Sequence, residues 1–295
     1  MPPIALVTVL FNSRPILPAF VESLNAQTYE NWRLIAIDNA SSDDGADYLK
    51  GLRHPKIEVI ENDENLGVAA ANNQGIARAL SDRNVDWIGV INNDVTFLPD
   101  CFESLLKSAS SKGAKFVSPQ IVYAEDRDRI WYAGGSLKRW PIIDNSHWDM
   151  EKSLQKTNPT SQWVSYAPTC FLFVQRDVFL DVGLMWEPYF VYNDDVDFIF
   201  RAAARGYRIW METNVTIDHY VGFSSGGGLS RFSLYYGSRN AVLLMRRNLP
   251  ELLWRIQYGF LWVKYRATAS LKRKAAYILE AQIEGLRDGL RAEAR

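Results

Sequence analysis

Within its first 94 residues the chain alternates short apolar, β-branched runs with stretches of helical spacing, and this rhythm limits the fold more than any other feature. Residues 4–11 read as a fully buried parallel strand. Residues 15–26 then place Ile16, Leu17, Phe20, Val21 and Leu24 at helical spacing. A second buried strand, residues 32–37, ends at Asp38. Residues 46–52 read as a helix, 57–61 as a third strand, 68–80 as an Ala-rich helix and 87–91 as a fourth strand, ending at Asn92-Asn93-Asp94. Strand alternating with helix at this pace means βαβ units and a parallel sheet. Such sheets bind ligands beyond the carboxyl ends of their strands. Asn12-Ser13, Asp38-Asn39 and Asn92-Asn93-Asp94 stand at three of those ends, so this half reads as nucleotide-binding.

The second half is less regular. Residues 124–161 read as loop and turn chemistry, with Gly134-Gly135 and Trp140-Pro141 as the signals. Residues 163–175 read as strand and 177–182 as a short helix. Residues 190–206 hold an acidic cluster and then a helix closed by Gly206. Residues 209–218 read as the last strand, 222–230 as a Gly/Ser loop, and the chain from 232 onward as helix. A length of 295 residues suits one large α/β domain with an appendage.

The net charge of -1 gives no global field for nucleic acid. Charge is uneven, however: residues 246–295 hold 11 basic and 5 acidic side chains, and the remainder 22 and 29. A basic tail on an acidic body suits an anionic surface; a solvated helical face is the plainer reading. Cys101 and Cys170 lie in no metal or redox spacing, so free thiols in a reducing compartment are expected. The start of the chain lacks the basic segment of a signal peptide, and no apolar run reaches the length of a membrane span. GxxxxGK[ST] and GxGxxG are both absent, which argues against P-loop and dinucleotide enzymes.

Candidate chemistry gathers at three places. Asp94 follows an apolar strand directly, where a carboxylate either holds Mg²⁺ or Mn²⁺ on a diphosphate or forms an Asx-type turn. Asn193-Asp194-Asp195-Val196-Asp197 puts three carboxylates within four residues. They repel one another unless a cation or proton relieves them, though Asp194 and Asp195 also suit a helix N-terminus. One of them can act as general base toward a hydroxyl. His219, between the last strand and the Gly/Ser loop, is either a structural hydrogen-bonder or a metal ligand. His54 and His147 stand beside loop-like segments and carry no such signal. Gly226-Gly227-Gly228, with Ser224, Ser225 and Ser230, reads as a lid or a plain surface loop.

These pieces, in this order, resemble glycosyltransferase family 2 and its rhamnosyltransferase-like branch, over roughly residues 4–245. The resemblance rests on Val7-Thr-Val-Leu-Phe-Asn12, Ser23-Leu-Asn-Ala-Gln-Thr-Tyr29, Ile37-Asp-Asn-Ala-Ser-Ser-Asp43, Asn65-Leu-Gly-Val-Ala-Ala-Ala-Asn-Asn-Gln-Gly75 and Asn92-Asn-Asp-Val95. The second half adds Gly183-Leu184, Tyr189-Phe-Val-Tyr192, Asp194-Asp-Val-Asp197, Arg201, Gly206-Tyr207, His219 and Tyr235-Tyr-Gly-Ser-Arg-Asn240.

The resemblance implies an A-type glycosyltransferase fold: a Rossmann-like, mostly parallel central sheet flanked by helices, with a C-terminal helical appendage. It implies a catalytic domain over residues 1–245, divided into a nucleotide-binding half (1–123) and an acceptor and catalytic half (124–245). Residues 246–295 would form a basic amphipathic tail. By the same analogy Asp38 binds the nucleobase, and Asn12, Asn65, Gly67, Asn73, Asn93 and Arg239 serve the nucleotide sugar. Asp94 and His219 hold a divalent metal, Mn²⁺ or Mg²⁺, and Asp195 is the catalytic base. The family's Glu-Asp pair reads Asp194-Asp195 here, so Asp194 is the alternative base. The DxD-type motif reads Asn92-Asn93-Asp94, leaving one carboxylate.

The implied activity is inverting transfer of a sugar, with L-rhamnose from dTDP-rhamnose the first expectation. The acceptor is a hydroxyl of a glycan or lipid-linked glycan of a cell-surface polysaccharide, at the cytoplasmic face of the membrane. A UDP-sugar donor, a nucleotidyltransferase and an inactive carbohydrate-binding scaffold are the rivals.

In the tail, Trp254, Tyr258, Leu261, Trp262 and Tyr265 recur at helical spacing. Leu253, Ile256 and Phe260 widen the apolar face, and Arg255, Lys264, Arg266, Lys272, Arg273 and Lys274 add positive charge. Such a helix either lies on anionic lipid or packs on the domain or on a second copy.

Overall fold

The computed structural model describes residues 2–222, 230–270 and 275–293. The Gly/Ser loop, Ser230 and its first residue excepted, and Lys272, Arg273 and Lys274 lie outside the described residues.

The first half is built as the alternation predicts. Strands β1 (Ile4–Leu10), β2 (Trp32–Asp38), β3 (Ile57–Glu61) and β4 (Trp87–Ile91) alternate with helices α1 (Leu17–Asn25), α2 (Gly45–Gly51) and α3 (Val68–Leu80). They pair in parallel in the order β3-β2-β1-β4. Next come β5 (Val95–Phe97), α4 (Cys101–Lys112), β6 (Phe116–Tyr123), β7 (Asp126–Tyr132) and the hairpin β8 (Gly135–Lys138) with β9 (Asp144–His147). The chain continues through α5 (Leu154–Thr157), β10 (Gln162–Val164), β11 (Phe171–Gln175), α6 (Arg176–Val182) and a 3-10 turn at Glu187–Tyr189. Then follow α7 (Asp194–Ala204), β12 (Ile209–His219), α8 (Arg231–Asn248), α9 (Glu251–Ser270) and α10 (Ala275–Arg291).

The main sheet runs β10-β12-β6-β11-β4-β1-β2-β3, with β5 and β7 paired at its side. Antiparallel β11 joins β4 to β6, and β12 lies parallel to β6. Six of the eight strands on this path therefore point one way, and their carboxyl ends share one rim of the sheet. The central strands are wholly buried, including Leu6, Val7, Ile88 and Phe173. Helix α3 presses on β1 at Gly75, where an added Cβ would stand 2.3 Å from a methyl of Val7.

Two readings of the second half need correction. The apolar run 163–175 is not one strand but β10 and β11, with residues 165–170 between them. β10 pairs with β12 whereas β11 pairs with β4 and β6, so the chain must cross the sheet between them. Residues 124–161 are not all loop, since β7, β8, β9 and α5 fall there. Those strands are short and largely half-exposed, so they lack the apolar period that marks a strand in sequence.

In the tail, Trp254, Tyr258, Leu261 and Tyr265 pack inward, on Val242 and Met245 of α8 and Leu286 of α10. Gln257, also buried, accepts a bond from the Ile143 amide at 2.8 Å and donates to the Arg139 carbonyl at 2.7 Å. Trp262, by contrast, faces solvent.

The contact at Gly75 gives a test. Gly75→Val should destabilise the fold by about 1–3 kcal/mol through overpacking against Val7, seen as a lowered thermal midpoint.

Candidate active site

The rim where β1, β2, β4, β6 and β12 end carries the polar clusters. Asp94 and His219 meet there because of strand register. β5 pairs antiparallel with β12, Val95 opposite His219, and the Tyr220 amide donates to the Asp94 carbonyl at 2.8 Å. Both side chains are buried, and His219 Nε2 lies 3.4 Å from Asp94 Oδ1. Burial alone would lower the His219 pKa, but Cys170 and Asp94 raise it above the ordinary histidine range. The Cys170 thiol is itself pushed up by burial and is neutral at pH 7, so the Asp94 carboxylate is the partner that supplies charge.

The donor set fits a small divalent cation. Two ligands at about 2.1 Å in neighbouring octahedral positions stand about 3 Å apart, close to the separation found. Among the described residues no group of three or more His, Cys, Asp or Glu is placed to hold a metal. This pair would therefore share its cation with substrate oxygens.

The acidic cluster at the start of α7 divides three ways. Asp197 is fully buried and neutralised: Arg201 Nε donates to it at 2.8 Å, Asn248 Nδ2 at 2.7 Å, and Arg247 Nε lies at 3.4 Å. Asp195 accepts from the Tyr166 hydroxyl at 2.6 Å and from the Val196 amide at 2.7 Å. Burial raises its pKa, while Tyr166, the Val196 amide and His147 act in the other direction. Asp194 is buried beside it, and burial and the neighbouring Asp195 charge both raise its pKa.

One chain of contacts links these two centres. The ring of Trp131 stands edge-on to His219 at 4.5 Å and to His147 at 4.8 Å. His147 lies 5.7 Å from the ring of Tyr166, which reaches Asp195. His147 Nδ1 bonds the Trp131 carbonyl at 3.1 Å, so its proton sits on Nδ1. Burial lowers its pKa and keeps the ring neutral at pH 7.

The turn before Asp194 and Asp195 is strained. Phe190, Tyr192 and Asn193 all hold left-handed φ values, 64°, 64° and 65°. Phe and Tyr adopt that region only under constraint, at roughly 1–3 kcal/mol each. The constraint is Asn240, wholly buried on α8. Its Nδ2 is aimed at the carbonyls of Tyr189, Val191 and Tyr192, at 2.8, 2.5 and 3.1 Å. Arg239 Nη1 adds bonds to the Pro188 carbonyl and to Asn240 Oδ1, so this guanidinium also braces the turn.

The residues expected at the nucleotide divide similarly. Asp38 is buried at the end of β2; its Oδ2 accepts from the Ser41 amide, and its Oδ1 has no hydrogen-bond partner. Asn65 Oδ1 accepts from Asn39 Nδ2 and the Gly67 amide, closing the loop that opens α3. Asn12 Oδ1 accepts from the Ser42 amide and hydroxyl, joining the loops after β1 and β2. Asn93 Nδ2 donates to the Val9 carbonyl. The Asn73 amide bonds Met185 at both backbone atoms and Glu187 Oε1, bracing α3 against the segment between α6 and α7.

Sequence patterning missed Tyr166, His147, Trp131 and Cys170. Nothing in their spacing marks them, since only tertiary pairing brings residues 131–170 to this rim.

Comparison with known proteins agrees with this geometry. The profile of Glycosyl transferase family 2 matches residues 5–183. An N-acetylglucosaminyl-diphospho-decaprenol L-rhamnosyltransferase of Mycobacterium tuberculosis is 27% identical over 236 residues, covering 75% of this chain and 76% of that one. The dTDP-rhamnosyl transferase RfbF of Shigella flexneri is 24% identical over 249 residues, covering 82% and 79%. Among solved structures, the mannosyltransferase PcManGT of Pyrobaculum calidifontis in complex with GDP-Man and Mn²⁺ shares the fold, with TM-score 0.57 and 14% identity. It matches 100% of this chain and 76% of that one.

The state of Asp194 sets a pH test. Its raised folded pKa means its stabilising contribution is whole below the unfolded carboxyl pKa and is lost as pH rises through the folded value. Asp194→Asn should therefore raise the thermal midpoint near pH 7 and leave it little changed near pH 4. The gain is about 1.4 kcal/mol per unit by which the folded pKa exceeds the unfolded one.

With the family profile matched over more than half its length, this chain belongs to glycosyl transferase family 2 and is a glycosyltransferase.

Proposed function

We propose that the chain transfers a sugar from a nucleotide-diphosphate donor to an acceptor hydroxyl in a single inverting displacement, in cell-surface polysaccharide synthesis. The observation that carries this reading is the base: Asp195 is held by Tyr166 and the Val196 amide, and ring contacts link it to the Asp94–His219 pair. Asp195 takes the proton of the acceptor hydroxyl as the oxygen attacks the anomeric carbon. Tyr166 orients that carboxylate, and burial makes it a stronger base than a solvated one. Asp38 accepts from a nucleobase N–H, a role that its buried unpartnered oxygen supports.

Asp94 Oδ1 and His219 Nε2 would hold a divalent metal, and a metal supplies charge neutralisation for the departing diphosphate. The Mn²⁺ bound by the mannosyltransferase of similar fold supports this. L-Rhamnose carried by dTDP is the proposed donor, supported by the names of the two rhamnosyltransferase relatives. The decaprenol-linked substrate in one of those names supports a lipid-linked glycan acceptor, used at the cytoplasmic face of a membrane. Among the described residues no helix is long and apolar enough to cross a membrane.

Two experiments test this. Asp195→Asn should lower turnover about 10²–10⁴-fold with donor affinity nearly unchanged; loss of donor affinity with surviving turnover would reassign the residue. Calorimetric titration with dTDP and UDP, each with and without Mn²⁺, should show metal-dependent binding of dTDP. Asp94→Ala and His219→Ala should each weaken it. Because His219 must lose its proton to bind metal, affinity should rise with pH up to its raised pKa. Binding of neither nucleotide by folded protein would favour a different nucleotide or an inactive scaffold.

A further inference from the structure

Helix α9 is apolar on two opposite faces. The inner face packs on α8 and α10. On the outer face Leu252, Ile256, Phe260 and Val263 recur about one turn apart and stand in solvent, 74%, 43%, 44% and 61% exposed. Trp140, from the turn between β8 and β9, sets its ring edge-on to Phe260 at 5.3 Å and is itself exposed. Single exposed apolar side chains are ordinary, but a contiguous patch of five is a docking surface.

Its rim selects the partner. Arg255, Lys264 and Arg266 on α9, and Lys138 and Arg139 beside Trp140, are all exposed. The carboxylates among them are Glu251, paired with Arg255, and Asp144, 4.0 Å from Lys264. Five cations against two carboxylates would repel a second copy presenting the same face. They suit a surface of phosphates over hydrocarbon.

We propose that this patch docks the enzyme on an anionic lipid bilayer. Leu252, Ile256, Phe260, Val263 and Trp140 enter the boundary between headgroups and acyl chains, and the five cations meet lipid phosphates. The β8–β9 hairpin then leads from the bilayer to the site, because its turn holds Trp140 and β9 ends at His147. A four-residue strand such as β9 is about 13 Å long, so a bilayer-anchored acceptor needs to rise only about that far. This last step rests on the lipid-linked acceptor proposed above; the docking surface does not.

The test uses the full chain with phosphatidylcholine vesicles, with and without phosphatidylglycerol. The wild type should sediment with the anionic vesicles and much less with the neutral ones. The double variant Ile256→Glu with Val263→Glu should bind at least about tenfold more weakly at an unchanged thermal midpoint, since each added charge opposes the lipid. Lys264→Glu with Arg266→Glu should do the same with the apolar stripe intact. Failure of the wild type to sediment, or sedimentation of either variant equal to that of the wild type, overturns the proposal. So does a dimer that the same substitutions dissociate, which would make the stripe an interface between copies. The acceptor reading fails separately, if vesicle binding stands but a water-soluble glycan is used as readily as a lipid-linked one.

Discussion

Three backbone pairings, Val95 with His219, Thr96 with Asp218 and Phe97 with Ile217, join the segment after β4 to the last strand of the sheet. The Asp94–His219 pair exists only because of them. On its other edge β12 runs parallel to β6, with a register shift between Glu212 and Thr216. Glu212 fixes that irregularity: its carboxylate accepts from Ser161, from the Asn214 amide and side chain, and from Trp210, and it bonds Ser108 as well. Burial pushes its pKa up, but these donors outweigh burial and hold it at about 2. A slip of one residue would turn His219 to the opposite face of the sheet. An ionised carboxylate at one end of the strand thus sets the position of an imidazole at the other.

The acidic stretch before α7 shows how a fold makes different groups from one residue type. Asp197 receives two arginines and becomes a structural anchor, which Arg201 extends to the carbonyls of Val182 and Leu184. Asp195 receives a phenol and a backbone amide, enough to orient a carboxylate without removing its basicity. Asp194 receives the least. The relief that three neighbouring carboxylates demand is therefore supplied mainly by arginine at one position and by hydrogen bonds at the next.

Much of this was legible from the residues. β1, β2 and β4 are mostly apolar and β3 carries Ile57, Val59 and Ile60, so run length and the helices between them mark a parallel sheet, and Asp38 and Asp94 fall at strand ends by that count. Arg201 stands one helical turn from Asp197 and was readable as its partner; Arg247, on α8, was not. Tyr166 lies in a break that hydropathy conceals, because Val164 and Phe171 on either side are equally buried. His147 ends a strand whose residues are exposed or half-exposed, and no period announces it. Trp254 and Ile256 lie two positions apart on α9, yet one packs inward and the other faces water. The sequence shows that helix as apolar, and only its neighbours decide which stripe is left over.

Gly67 carries a consequence for recombining such enzymes. It stands at φ 85°, and a Cβ there would lie 2.5 Å from the carbonyl oxygen of Phe190, which also accepts from the Val68 amide. The loop that opens α3 and the strained turn before α7 are thus in backbone contact at one residue without a side chain. A chimera joining the first half of this chain to the second half of another family member would set this glycine against a different turn. The fit of that turn to the glycine decides whether the two halves pack. Halves can be exchanged between relatives only as far as that seam permits.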